Sequence, residues 1–146
     1  MIQEIYENIY DESFVYGKPA SRIKLQAAVY LLENMGLNIG NYSFSWDTHG
    51  PRSLKLDCDA QNFYGEEVSF SSNAEEKFAR LKGLMEHQTV YDSVNWMECI
   101  ASLLYLKKVF RLSEKDLIPE LEKWMPYLSN GEANKKALSI VKGIKL

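Results

Sequence analysis

Several things that would name a chemistry outright are scarce or missing in this chain. Two cysteines, Cys58 and Cys99, occur among 146 residues, far apart and outside any CxxC or related ligand spacing. A disulfide framework is therefore excluded, and free thiols in a reducing cytoplasm are the expectation. Histidine is equally sparse: His49 and His87 are the only two. The eight glycines are scattered and form neither GxGxxG nor GxxxxGK[ST], so a phosphate-cradling loop and the nucleotide enzymes that need one are not expected. GxSxG is absent as well. Positive charge is not in excess, with 17 basic against 20 acidic side chains and a net charge of −3, so no global field gathers nucleic acid. The most hydrophobic uncharged run, Cys99 to Leu106, is far shorter than the roughly 18 residues of a membrane span. The N-terminus is acidic where a signal peptide is basic. A cytoplasmic location, with no membrane partner, is the resulting expectation.

What is present is an ordinary globular composition, 46% hydrophobic and 25% charged. No repeat and no linker-like tract divides the chain, so residues 1–146 read as one domain. Ile2, Ile5, Tyr6 and Ile9 fall at helical spacing, with Glu4, Glu7, Asp11 and Glu12 making the first sixteen residues acidic. After Gly17-Lys18-Pro19 comes a second helix, for which Ser21 is the expected cap. Its stripe of Ile23, Ala27, Tyr30, Leu31 and Met35, widened by Leu25, Ala28 and Leu32, implies cover on most sides, and Gly36 is its expected stop. Tyr42, Phe44 and Trp46 then alternate with polar residues, as a half-buried strand does. Gly50-Pro51 suits a strand-to-helix corner, with proline in the first turn of a short helix carrying Leu54, Asp57, Cys58, Asp59 and Gln61.

Tyr64-Gly65 closes that helix, and Val68 and Phe70 predict a second strand. Asn73 with Glu76 predicts a capped helix reaching about Glu86. A long central helix follows Asp92 or Ser93, another follows Ser113 with Pro119 inside and Pro126 at its end, and the last begins near Gly131. The fold class is mainly α, formally α+β: a helical domain with a short two- or three-stranded hairpin of winged-helix outline.

Chemistry-bearing clusters are few. Cys58 and His49 flank one corner, but a half-buried structural thiol explains Cys58 better than a catalytic pair. His49, Asp57, Cys58 and Asp59 could approach a metal only in principle, because adjacent helical residues point to different sides. No catalytic residue, cofactor or metal is assigned. The carboxylate pairs Glu66-Glu67, Glu75-Glu76 and Asp57/Asp59 read as solvated surface. Lysine and arginine gather at Lys107, Lys108, Arg111 and Lys115, and at Lys135, Lys136, Lys142 and Lys145. A solvated helical surface is the favoured explanation. In the helix that would read a DNA groove, Arg52, Lys55, Gln61 and Asn62 share space with Asp57 and Asp59, and those carboxylates repel phosphate.

The run Lys24-Leu25-Gln26 opening an apolar helix with Tyr30-Leu31-Leu32, the aromatic strand, Gly50-Pro51-Arg52-Ser53 leading into a helix, and the later Ala101 to Leu106 stretch together resemble the Panacea-domain and YwgA-like group of bacterial and phage-associated proteins. The chain differs from that group at His49, where tyrosine is usual, and at Arg52, where an aromatic residue is usual. The resemblance implies a helical, winged-helix-like protein acting as an antitoxin or adaptor toward a protein partner such as a toxin, without catalysis. The expected function is a non-enzymatic interaction module whose corner at Trp46, His49 and Arg52 meets that partner. A winged-helix-like DNA-binding regulator is the alternative, although nucleic acid is not the expected partner, and an enzyme is a distant third.

Overall fold

Apolar spacing becomes seven helices and one hairpin in the computed structural model, which describes residues 1–62, 73–86 and 89–144. The helices are α1 (Ile2–Tyr10), α2 (Pro19–Asn34), α3 (Leu54–Asn62), α4 (Ala74–Met85), α5 (Ser93–Lys108), α6 (Glu114–Trp124) and α7 (Gly131–Gly143). The strands β1 (Ser45–Asp47) and β2 (Gly50–Arg52) pair antiparallel, with Trp46 opposite Pro51. The expected strand at Val68 and Phe70, the Tyr64-Gly65 stop, the Glu66-Glu67 pair, His87 and Lys145 lie outside the described residues.

The core is organised by α5, whose residues from Trp96 to Leu106 are all buried. It touches α2, α4, α6, α7 and β2, while α1 lies across α2 and α4. A helix surrounded in this way needs apolar residues all round. Asp92 caps it as expected, its carboxylate accepting the Asn95 N–H at 2.8 Å. The end of α2 is also the expected one: Gly36 takes a φ of +98°, and the N–H groups of Gly36 and Leu37 return to the carbonyls of Glu33 and Leu32.

Three local expectations shift. Lys18, not Ser21, stands at the N-cap of α2, because Pro19 at the first helical position already has the right φ and no N–H to satisfy. Ser21 is buried within α2, where its hydroxyl receives the Tyr6 hydroxyl at 3.4 Å. The strand is shorter than the alternation predicts: Tyr42, buried, and Phe44, half-buried, precede it in a loop where Asn41 takes a φ of +51°. Gly50 and Pro51 form β2 rather than the first turn of a helix. In a two-stranded ribbon each strand has a free edge, which tolerates proline. The cap of α3 passes to Ser53, whose hydroxyl accepts the Leu56 N–H at 3.2 Å. Pro119 is accommodated inside α6, and Met125 with Leu128 buries the chain beyond it.

Candidate functional site

The hairpin lies lengthwise on α5, and that placement fixes what its side chains can do. His49 meets Glu98, Gly50 meets Ser102, and Trp46 meets Tyr105, a march of positions along one helical face. At about 1.5 Å per residue, Glu98 and Tyr105 stand on the order of 10 Å apart along the axis. Gly50 is required at its position. Its φ is +95°, and a Cβ there would overlap the Ser102 hydroxyl oxygen.

Of the three corner residues, the structure brings two together. His49 and Arg52 line one cleft of about 240 Å³ with Arg22, Gln26, Asp47 and Asp57. Arg52 spans two carboxylates, at 3.2 Å from Asp47 and 3.3 Å from Asp57. Asp57 also accepts the Tyr16 hydroxyl at 3.3 Å. Asp47 is held below the ordinary carboxylate range, first by the Thr48 N–H and then by Arg52. Gln26 joins α2 to the start of α3 through two bonds to the Ser53 backbone, at 2.9 and 2.8 Å. The floor of the cleft is therefore fixed while its rim is charged. Trp46 faces the other way. Half-buried, it packs against Tyr105 and Phe110 with ring centroids 5.7 and 6.2 Å apart.

His49 is the most constrained exposed residue of the corner. Its side chain is 53% exposed, yet its Nδ1 lies 3.0 Å from the Glu98 carboxylate, which is 2% exposed. The same carboxylate oxygen accepts the Tyr127 hydroxyl at 2.5 Å. Desolvation of its hydroxyl, then the hydrogen bond to Glu98 and the charge of that carboxylate, push the Tyr127 phenol well above its ordinary range, so it remains a donor. With Tyr127 donating, Glu98 acts as an acceptor, and His49 serves it best by donating from Nδ1. Nε2 is then left to accept a hydrogen bond when the ring is neutral and to donate one when it is charged.

Glu98 and Tyr127 complete this constellation, and neither stands out by motif. Glu98 did carry a signal, being the single charged residue from Ser93 to Leu106 in an otherwise apolar helix. Tyr127 follows Pro126 in the α6–α7 connection, and no periodicity marks it. Next to Glu98, Cys99 is buried. Burial and the Glu98 charge push its thiol up to about 12, and it lies 3.4 Å from the Asn134 side-chain oxygen. Cys58 is exposed on α3, and no hydrogen bond joins it to His49 among the described residues. Among those residues no three His, Cys, Asp or Glu side chains converge on a metal-sized site.

Asp57 and Asp59 are engaged with the body of the protein, Asp59 accepting the Tyr42 hydroxyl at 2.7 Å. Of the basic groups, Lys108 binds Asn34 and Lys142 pairs with Glu114, while Lys135 and Lys136 are exposed on α7. No helix among the described residues is long and apolar enough to cross a membrane. Comparison with family models, curated proteins and solved structures finds no match, so the functional reading rests on the residues of the site themselves.

Proposed function

We propose that this protein is a non-enzymatic interaction module, antitoxin- or adaptor-like, that engages a protein partner through the hairpin tip and the cleft beside it. The observation that carries the reading is the anchoring of His49: a half-exposed ring held by a buried carboxylate from α5 and neighboured by Tyr127. A surface group already fixed in one orientation loses little freedom when a partner arrives, which favours affinity. Arg52, spread between two carboxylates, is similarly ordered, and arginine is a residue type enriched at interface anchors. The likeness of Gly50-Pro51-Arg52-Ser53 to the Panacea corner agrees with an antitoxin or adaptor role. His49 and Arg52 make the contact, and Trp46 supports the hairpin from behind.

The test is capture of partner from the native host by immobilised wild-type protein and by His49→Ala/Arg52→Ala, with thermal melts of both. The double variant is expected to melt within a few degrees of wild type and to lose partner by roughly 30-fold or more, the size of an interface hot spot. Equal recovery by the well-folded double variant would place the interface elsewhere.

A further inference from the structure

One edge of the hairpin carries no strand among the described residues. β2 is packed against α2 and α5, whereas β1 has β2 on one side and no strand on the other. Pro51 has no N–H, so its pairing with Trp46 is of the non-hydrogen-bonded kind, and the ladder bonds join Ser45 with Arg52 and Asp47 with Gly50. The N–H and C=O of Trp46 therefore point outward, and neither has a partner among the described residues. A strand edge of this sort accepts an extended peptide through main-chain hydrogen bonds.

The neighbourhood of this edge sets what such a peptide carries. The Trp46 ring meets Phe110, and just past the end of α5 Phe110 and Val109 are 48% and 49% exposed. Lys107 and Lys108 precede this apolar pair and Arg111 follows it, and among the described residues none of the three is in an ion pair. The lysines are accounted for by the helix, whose C-terminal end favours positive charge. Arg111 is not. It is exposed at a φ of +55°, a conformation that suits glycine and costs any other side chain some stability, so a cation is held where the backbone would prefer none. Asp47, the carboxylate of β1, is already paired with Arg52 at 3.2 Å. We infer that β1 and the turn after α5 form a docking edge for an extended acidic segment of a partner protein. The segment adds a strand beside Trp46, lays an apolar side chain on Phe110 and Val109, and sets carboxylates against Lys107 and Arg111. This surface lies away from the cleft of His49 and Arg52 and does not depend on it. An anionic lipid surface would satisfy the cations but leave the Trp46 main-chain groups unpaired, which favours a peptide.

The probe is the peptide acetyl-Glu-Thr-Val-Thr-Glu-amide, followed through the Trp46 amide resonance of isotope-labelled protein. Side chains alternate along a strand, so its valine and both glutamates share the face that meets Phe110 and the cations. A dissociation constant of about 1 mM or tighter is expected. Methylating the valine nitrogen removes the N–H that pairs with Trp46 and is expected to weaken binding roughly tenfold, as is replacing both glutamates by glutamine. Arg111→Gly is expected to weaken the peptide by about threefold or more while raising the melting temperature by about 2 to 5 °C, because glycine relieves the positive φ. Loss of affinity joined to a gain in stability cannot come from misfolding. No shift of Trp46 at about 5 mM peptide, equal binding of the N-methylated or glutamine peptide, or unchanged affinity in Arg111→Gly would overturn the assignment. Cosedimentation with phosphatidylserine vesicles in the absence of any peptide shift would overturn it too and give this face to a lipid surface.

Discussion

At the scale of single residues, Glu98 is the most consequential charge in the molecule. A buried carboxylate is tolerable only when its lone pairs are used, and Tyr127 and His49 both converge on one of its oxygens. Glu98→Ala is expected to cost about 3 kcal/mol, because it opens a void and strands the Tyr127 hydroxyl. Glu98→Gln, which keeps the volume, should cost less, about 1 to 2 kcal/mol. Urea unfolding of the two variants checks both the sign and the order. A loss below about 0.5 kcal/mol in Glu98→Ala would show that the constellation does not hold the hairpin.

The two thiols divide just as clearly. Cys99 is buried with its thiol pushed up, whereas Cys58 is exposed. Iodoacetamide at about pH 8 should therefore label one cysteine in the native protein and two in denaturant, with intact mass as the readout. Labelling of Cys99 in the native state would contradict its burial.

At the scale of elements, the hairpin and α5 form one unit, joined most tightly where Gly50 crosses Ser102. Gly50→Ala combines an unfavourable positive φ with overlap on the Ser102 hydroxyl, and a loss of about 2 to 4 kcal/mol is expected. Ser102→Ala removes a buried hydroxyl that has no partner, so alone it should be neutral or stabilising by about 1 kcal/mol. Combined, the second change should recover part of the first, giving a coupling of about 1 kcal/mol in a double-mutant cycle followed by urea unfolding. Simple additivity would mean that Gly50 is needed for its φ alone. The same unit explains why alternation overstated β1. Phe44 and Trp46 are both drawn toward the Tyr105 region, one from the loop and one from the strand, so period two marks the buried side of the segment without marking where pairing begins.

At the scale of the whole molecule, titration is set by buried phenols. Burial leads the upward shift of Tyr10, Tyr30, Tyr42 and Tyr91 from their ordinary value of 10, and likewise that of Cys99 from 9. Each group holds its proton more firmly when folded. The stability it contributes is complete below its unfolded pKa and is lost as pH rises through and beyond that value. The urea midpoint should accordingly be flat from about pH 7 to 8.5 and fall above about pH 9. Each group that ionises only on unfolding adds a slope of up to about 1.4 kcal/mol per pH unit. A midpoint unchanged at pH 10.5 would mean that these phenols reach solvent in the native state.

How much was legible in advance follows the range of the forces involved. Helices α1, α2, α5 and α7 could be read from apolar spacing and end signals, because Gly36, Asp92 and the residues around Gly131 act within a turn or two of themselves. The place of the corner was legible too, since Gly50-Pro51 interrupts any regular pattern. Its conformation was not, because whether proline opens a helix or occupies a free strand edge depends on what lies across from it, here Trp46. His49 and Arg52 could be nominated as polar residues at a rigid turn, and Trp46 belonged with them only by proximity in sequence. Strand alternation sends neighbouring side chains to opposite faces, and α5 then decided which face was buried. Glu98 and Tyr127, separated along the chain from His49 by dozens of residues, had no local relation to reveal. Local patterning thus determined which segments are helical and where they stop. Only the stacking of the hairpin, α5 and the α6–α7 connection determined which charge is buried, which ring it holds and which residues share a cleft, because those contacts depend on long-range packing that no short window of sequence contains.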